Sequence, residues 1–216
     1  MSFEPVDWNV VILGRWNAAI LTPRRIAEKI YKLPMPESGE IQLPVFVPLD
    51  GLSPYQIKHT EKNIVTLLLD GNRLIIEAHS RTYESLADAM IFGRNALEWL
   101  PETPFSAAGF NIKYRSEEVP DELLDLVTND TLDSHLSEQD YEIVSRRVVR
   151  SMQYETGRLN LTITIDTRGS LIEYNFHQES SDIQVLKNWL STSPQKLQQT
   201  VEALQKKFEP QKETQS

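Results

Sequence analysis

The sequence predicts an α+β fold in which antiparallel sheets pack against helices, in two similar halves that an internal duplication would explain. Three observations support this prediction. Short stretches in which apolar and polar residues alternate end at turn residues, a pattern typical of antiparallel strands. Segments with apolar residues at helical spacing follow these stretches. Two hairpin-like stretches, 66–77 and 162–173, align without a gap.

The composition is that of a globular protein, with 40% hydrophobic and 25% charged residues among 216. The chain has no cysteine, which excludes disulfides and thiolate zinc sites. No apolar run approaches the roughly 20 residues of a membrane-spanning helix. The N-terminal stretch lacks the pattern of a signal peptide. We therefore expect a cytoplasmic protein without a membrane partner.

Charge and motifs divide the chain into four segments. We expect an N-terminal α+β half at 1–116, an acidic connecting segment at 117–142, a three-stranded meander with helices at 143–208, and a disordered tail at 209–216. A crevice between the two halves would then be a natural ligand site.

In the N-terminal half, Thr22 followed by Pro23 predicts a helix start, because a hydroxyl caps the first turn and proline fits its first position. Pro44 and Pro48 predict a short edge segment, since proline cannot donate to a central ladder. The turn residues Gly71-Asn72 predict a hairpin, and a helix is expected to begin at Thr82 and to end before Pro101. The stretch 105–114 follows as a strand.

The C-terminal half predicts a meander of three strands with a turn at Thr167-Arg168. Pairing Ile163 with Ile172 makes one face of the last hairpin apolar throughout, as the period of a strand requires. Ser181 and Gln184 then form a capping box at the start of a helix. Ser193-Pro194 predicts the start of a final helix, whose apolar stripe is expected to cover the apolar face.

The duplication rests on an alignment at an offset of 96 residues. It superimposes Thr66 on Thr162 and Glu77 on Glu173. Both hairpins are then expected to pair their threonine with their glutamate.

The net charge of −9 is unevenly distributed, because ten acidic residues and no basic residue lie between 117 and 142. Arg146, Arg147, Arg150 and Arg158 follow directly. The acidic segment can neutralise these arginines, or the arginines can contact a polyanion. Nucleic acid is the less favoured partner, since four arginines make a small basic patch.

Polar residues alternate along the last hairpin and should share one face of the sheet. They form a possible binding face: Asn160, Thr162, Thr164, Glu173, Asn175, His177 and Glu179. The alternatives are a solvated sheet face, a surface for a polar partner, a metal site, or a hydrolase site that uses His177 with Glu173 or Glu179. The solvated face is favoured, since a metal site needs a third or fourth ligand that the spacing does not supply.

Known catalytic and phosphate-binding motifs are missing from the sequence. It contains no G-x-x-x-x-G-K-[ST], no G-x-G-x-x-G and no G-x-S-x-G. We therefore predict no cofactor and no metal.

Three stretches, "GRWNAAILTP", "GFNIKY" and "NFHQESSD", carry a resemblance to a sporadically distributed family of uncharacterised bacterial proteins. The resemblance implies two similar halves. That family has no assigned activity, so it implies no catalytic residue.

Together these features favour a non-enzymatic interaction or assembly protein that binds a protein partner or itself. The alternatives are a hydrolase with a site around His177, Glu173 and Glu179, and a polyanion-binding or nucleic-acid-binding protein that uses Arg146, Arg147, Arg150 and Arg158.

Overall fold

The computed structural model describes residues 3–17, 19–34, 44–46, 56–59, 64–69 and 72–208. The strands within these ranges are β1 (Glu4–Pro5), β2 (Asn9–Gly14), β3 (Val45–Phe46), β4 (Gln56–His59), β5 (Ile64–Leu69), β6 (Arg73–Ala78), β7 (Phe105–Ser116), β8 (Ser145–Tyr154), β9 (Gly157–Asp166) and β10 (Gly169–Glu179). The helices are α1 (Pro23–Arg25), which continues as a π-helical turn (Ile26–Ile30), α2 (Tyr83–Trp99), α3 (Asp121–Val127), α4 (Asp130–Glu138), α5 (Ile183–Trp189) and α6 (Pro194–Gln205).

All of these strands belong to one antiparallel sheet. Their spatial order is β3-β4-β5-β6-β2-β7-β10-β9-β8, and β1 pairs with β7 beside this path. The predicted α+β class is confirmed. The expected crevice between the halves is wrong, because β7 pairs with β2 on one side and with β10 on the other and joins the halves into one sheet.

The core lies on the face of the sheet that carries the helices. α2 packs on β2 and β6, and α5 packs on β7 and β10. Alternate strand residues, among them Val10, Ile76, Phe110 and Phe176, are fully buried beneath these helices. The period of two therefore separates an apolar helix side from a second side, called here the open face.

The two halves of the sheet follow the same plan around their centre. Asn9 pairs with Glu77, and Gly109 pairs with His177, so equivalent positions differ by 100 in residue number. α2 begins at Tyr83 and α5 at Ile183, which keeps the same spacing. Common descent of the halves remains a prediction.

The gapless alignment at an offset of 96 does not describe this repetition. Thr162 pairs with Glu173 as predicted, but Thr66 pairs with Ile76 instead of Glu77. The physical reason is the spacing at the turns: Leu69 pairs with Arg73, whereas Asp166 pairs with Gly169. One extra residue in the first turn shifts its register. Gly71, half of the predicted turn, lies outside the described residues.

The predicted register of the last hairpin is confirmed along its whole length, including the pair of Ile163 with Ile172. The turn at Thr167-Arg168 is also confirmed. It ends in Gly169 at a φ of 105°, where an added Cβ would lie 2.1 Å from the carbonyl oxygen of Ser116. Only glycine fits this approach without displacement.

Side-chain caps fix most of the predicted helix starts. Thr22 accepts a hydrogen bond from the backbone of Arg25, and Thr82 accepts one from Ser85. The predicted cap at Ser181 is wrong by one position: Asp182 is the cap and accepts a hydrogen bond from the amide of Gln184 at 2.7 Å. The positive end of the helix dipole also stabilises a carboxylate at this position.

The acidic segment is part of the fold. It forms two helices, α3 and α4. α3 packs on β8 and β9 and buries Leu123 completely. The predicted edge segment is described only at β3, which lies at one end of the sheet order. The predicted disordered tail, residues 209–216, lies outside the described residues. No helix in the described ranges is long and apolar enough to span a membrane.

Candidate functional site

The open face of the sheet holds the polar residues that the sequence singled out. Glu173 pairs with Thr162, Asn175 with Asn160, and neighbours of the other parity such as Tyr174 are buried on the helix side. The predicted polar face therefore exists as one surface. It comprises Asn160, Thr162, Thr164, Glu173, Asn175, His177 and Glu179.

A row of side-chain hydrogen bonds crosses this face from β8 to β2, and we call it the amide ladder. Asn175 donates to Asn111 at 2.6 Å, and Asn111 donates to Asn9 at 2.7 Å. In order of donation, the ladder runs from Ser151 through Asn160, Asn175, Asn111 and Asn9 to Asp7. Each asparagine in it donates through its amide nitrogen and accepts through its amide oxygen.

The acidic end of the ladder sets the direction of every bond in it. A carboxylate can only accept, so Asn9 must turn its amide nitrogen toward Asp7, at 3.1 Å. Its oxygen then faces Asn111, and the same orientation propagates from strand to strand. The Lys113 ammonium lies 2.7 Å from Asp7 and 3.4 Å from Glu173. Burial disfavours the ammonium, but the hydrogen bonds and charges of Asp7 and Glu173 together outweigh burial and raise the pKa of Lys113.

The ladder gives each of its four asparagines a donor and an acceptor within the sheet. Asn9 and Thr162 are buried by their neighbours although no described helix covers this side. Hydrogen bonds between partly buried amides hold the side chains in one arrangement. The regular polar pattern of the last hairpin is thus explained by the sheet itself, without a ligand.

His177 does not meet both predicted carboxylates. Its Nε2 lies 3.4 Å from Glu179 Oε1, whereas Glu173 is engaged by Lys113. Four residues along a strand separate His177 from Glu173 by about 13 Å. Among the described residues, no group of three or more histidine or acidic side chains could hold a metal ion. Of the two predicted carboxylates, only that of Glu179 lies near His177.

The four predicted arginines are divided between the two faces. Arg146 pairs with Ile165 and Arg150 with Leu161, which places both on the helix side. Arg147 and Arg158 lie on the open face, because the residues directly before and after each of them along the strand face the helices. They do not form one basic patch.

Neutralisation by the acidic segment reaches one of these arginines. Arg146 Nε lies 2.9 Å from Asp133 Oδ2 of α4. Within the described ranges, Arg147, Arg150 and Arg158 have no carboxylate at ion-pair distance. Arg147 and Arg150 of β8 therefore lack a direct ion pair with any described residue.

β8 forms an open edge of the sheet. It pairs with β9 through ten residue positions and, within the described ranges, with no other strand. β4, at the equivalent place in the first half, is paired on its outer side with β3. An unpaired edge presents backbone N–H and C=O groups that a further strand can bind.

Exposed apolar side chains concentrate around this edge. In the part of the chain that the structure describes, eight large apolar residues are exposed, and six of them fall between residues 124 and 149. They are Leu124, Leu126, Leu132, Tyr141, Val144 and Val149. We call β8, the two helices before it and the connection 139–144 the edge surface. Clusters of exposed apolar residues rimmed by charge are typical of protein-binding surfaces.

Sequence reasoning missed the apolar members of the edge surface. Tyr141, Val144 and Val149 are 65%, 64% and 48% exposed. Their signal was present as isolated apolar residues inside and just after a strongly acidic stretch. Without the sheet order, nothing distinguished them from residues that face the core.

Comparison with known proteins adds no family. No family model matches the chain, and no curated protein matches it. A solved structure of Methanococcus jannaschii TBP is similar over 95% of this chain and 99% of that one, at 8% sequence identity and a TM-score of 0.28. A similarity at this level supports no conclusion about fold or function.

Proposed function

We propose that the chain is a protein-interaction module that binds its partner through the edge surface. The observation that carries this proposal is the coincidence of two features at β8. No described strand pairs with its outer edge, and most of the exposed large apolar residues of the described chain surround it. Burial of such side chains on association is favourable at about 25 cal/mol per Å² of apolar area.

The open face supports this proposal by contrast. Its amides are bonded to one another, so a ligand there would have to compete with the amide ladder. At the edge surface, Tyr141 and Val144 are exposed and gain contacts only when another molecule covers them. A binding function therefore fits the edge better than the open face.

Site-specific photo-crosslinking tests the proposal. A photoreactive amino acid replaces Val149 in one variant and Ile91 in a matched control, since Ile91 is also exposed and lies on α2. In cells that express the chain, we expect a discrete covalent adduct from position 149 and none from position 91. Mass spectrometry identifies whether the adduct contains a second copy or another protein.

Competition separates specific binding from chance contact. Excess wild-type chain should suppress the adduct, and excess chain that carries Val144→Glu and Val149→Lys should not. Equal adducts from positions 149 and 91, or no adduct from position 149, would contradict the proposal.

A further inference from the structure

We infer that the partner adds an extended strand to β8, with acidic side chains beside Arg147 and Arg150 and apolar side chains in the groove between β8 and α6. This inference rests on the proposed function and specifies the chemistry of the partner. Backbone geometry, charge and the shape of the groove each contribute one part of the argument.

The backbone of β8 is suited to pairing along its length. Ten consecutive residues are extended, and an antiparallel strand directs the N–H and C=O groups of alternate residues away from its partner. About half of these groups in β8 thus point away from β9. In the other half of the sheet, β3 pairs with the outer side of β4, the strand equivalent to β8. A strand added outside β8 would therefore occupy the position equivalent to that of β3.

Charge selects an acidic strand over a second copy of the chain. β8 carries three arginines within five positions, and only Arg146 has a carboxylate partner in the described residues. Pairing of two β8 strands would leave these arginines without a partner, because β8 contains no acidic residue. Glutamate or aspartate beside Arg147 and Arg150 would form charge-assisted pairs instead.

A groove beside β8 accommodates apolar side chains. Its volume is about 510 Å³, and it lies between the C-terminal part of β8 and α6. Met152, Tyr154, Ala203 and Leu204 line it. A strand added about 4.8 Å from β8 would direct every second side chain to the same side as Met152 and Tyr154.

One polar group in the groove lacks a partner. The Tyr154 hydroxyl is buried and makes no hydrogen bond within the described chain. A buried hydroxyl left unpaired costs about 1–3 kcal/mol, so a polar group of the incoming segment would be stabilised there. The expected partner segment is therefore apolar where it passes Met152, offers a polar group to the Tyr154 hydroxyl, and is acidic where it passes Arg147 and Arg150.

Synthetic peptides of about nine residues, the length of a long strand, test this inference on the full chain. The probe alternates threonine with apolar residues in its first half and carries consecutive glutamates in its second half, because Arg147 and Arg150 lie on opposite faces of β8. A second probe replaces the glutamates with lysines, and a third places proline at two central positions. Fluorescence anisotropy measures binding, and NMR chemical shifts of the backbone amides locate it.

We expect the acidic peptide to bind, with shifts centred on β8, and the lysine and proline peptides to bind at least about tenfold more weakly. The double variant Arg147→Glu/Arg150→Glu should reverse the preference between the acidic and lysine peptides. Both arginines are exposed, so this variant should keep the fold. Circular dichroism checks that it does.

Two outcomes would overturn the inference. One is equal binding of the proline peptide, because proline removes the backbone donors that a paired strand needs. The other is an acidic peptide that fails to bind while position 149 still yields a specific adduct, and the protein-interaction function would then stand without strand addition. Absence of the adduct itself would reject the proposed function.

Discussion

The two halves of the sheet share one plan at their centre and differ at their outer edges. β2, β6 and α2 correspond to β7, β10 and α5, with equivalent residues 100 apart. At the edges, β4 is covered by β3, whereas β8 has no described strand beyond it. The repeated part builds the core, and the part that departs from the repeat offers a surface to a partner. Changes at equivalent positions can test this division.

The largest expected effect is at a matched pair in the core. Leu86 of α2 and Leu186 of α5 are equivalent and both fully buried. Replacing either with alanine should lower the free energy of unfolding by about 2–5 kcal/mol, because each change leaves a cavity beneath a helix. Urea denaturation followed by circular dichroism and tryptophan fluorescence measures the change.

Both variants should unfold in a single transition, since one continuous sheet joins the halves. Ile91→Ala on the exposed side of α2 is the control, with an expected change within about 0.5 kcal/mol. A separate early transition in the Leu186 variant alone would show that the C-terminal half unfolds independently. The two halves would then not contribute equally to one cooperative core.

The next largest effect concerns the amide ladder, which distinguishes one half of the sheet from the other. The amide ladder crosses the second half, reaches β2 at Asn9 and ends at Asp7, and Glu77 of β6, which pairs with Asn9, does not continue it. Asn111→Ala removes the donor to Asn9 and the acceptor for Asn175 in one change. We expect a loss of about 1–3 kcal/mol in the free energy of unfolding, since two partly buried amides lose a partner.

Ser151→Ala provides the control at the exposed end of the ladder, where water can replace the lost bond. It should cost less than about 0.5 kcal/mol. If Asn111→Ala is no more costly than Ser151→Ala, the ladder is a solvated row of side chains and does not stabilise the sheet.

The ladder also shows what the sequence could and could not predict. The pairing of Asn160 with Asn175 followed from alternation in one hairpin, because the partners are close in the chain. The continuation to Asn111 and Asn9 joins residues 64 and 102 positions apart. Local patterns contain no information on which distant strands become neighbours. The fold class and hairpin register were therefore predictable, and the ladder was not.

A smaller effect compares the caps of the equivalent helices. Thr82 accepts from the Ser85 amide at 3.2 Å, and Asp182 accepts from the Gln184 amide at 2.7 Å. Alanine at either position should lower the free energy of unfolding by about 0.5–2 kcal/mol. Thr82→Ser and Asp182→Asn keep an accepting oxygen and should recover most of the loss. A conservative variant as unstable as its alanine counterpart would show that the cap hydrogen bond is not the cause.

The candidate site was less predictable than the fold for a physical reason. An exposed apolar residue and a buried one look alike in sequence, and only the place of β8 at the end of the sheet order distinguishes Val149 from Val10. The polar residues around His177 attracted notice because their spacing was regular. Their regularity reflects the period of a strand whose polar face bonds to itself.

The smallest effect on stability should come from the edge, where the effect on binding is largest. Val149 is half exposed on an edge strand, so Val149→Glu should change the free energy of unfolding by no more than about 0.5 kcal/mol. The same change removes an apolar contact from the proposed interface and places a negative charge beside Arg147 and Arg150. Binding of the acidic peptide should be weakened by both effects, because like charges repel across a strand pair. Val149→Thr, which keeps the β-branched shape, should bind at nearly the wild-type level. Thermal denaturation and anisotropy on the same samples measure both quantities. A Val149→Glu variant that loses stability and binding together would mean that the edge strand belongs to the core of the fold, as β4 does, and the difference between the two edges would disappear.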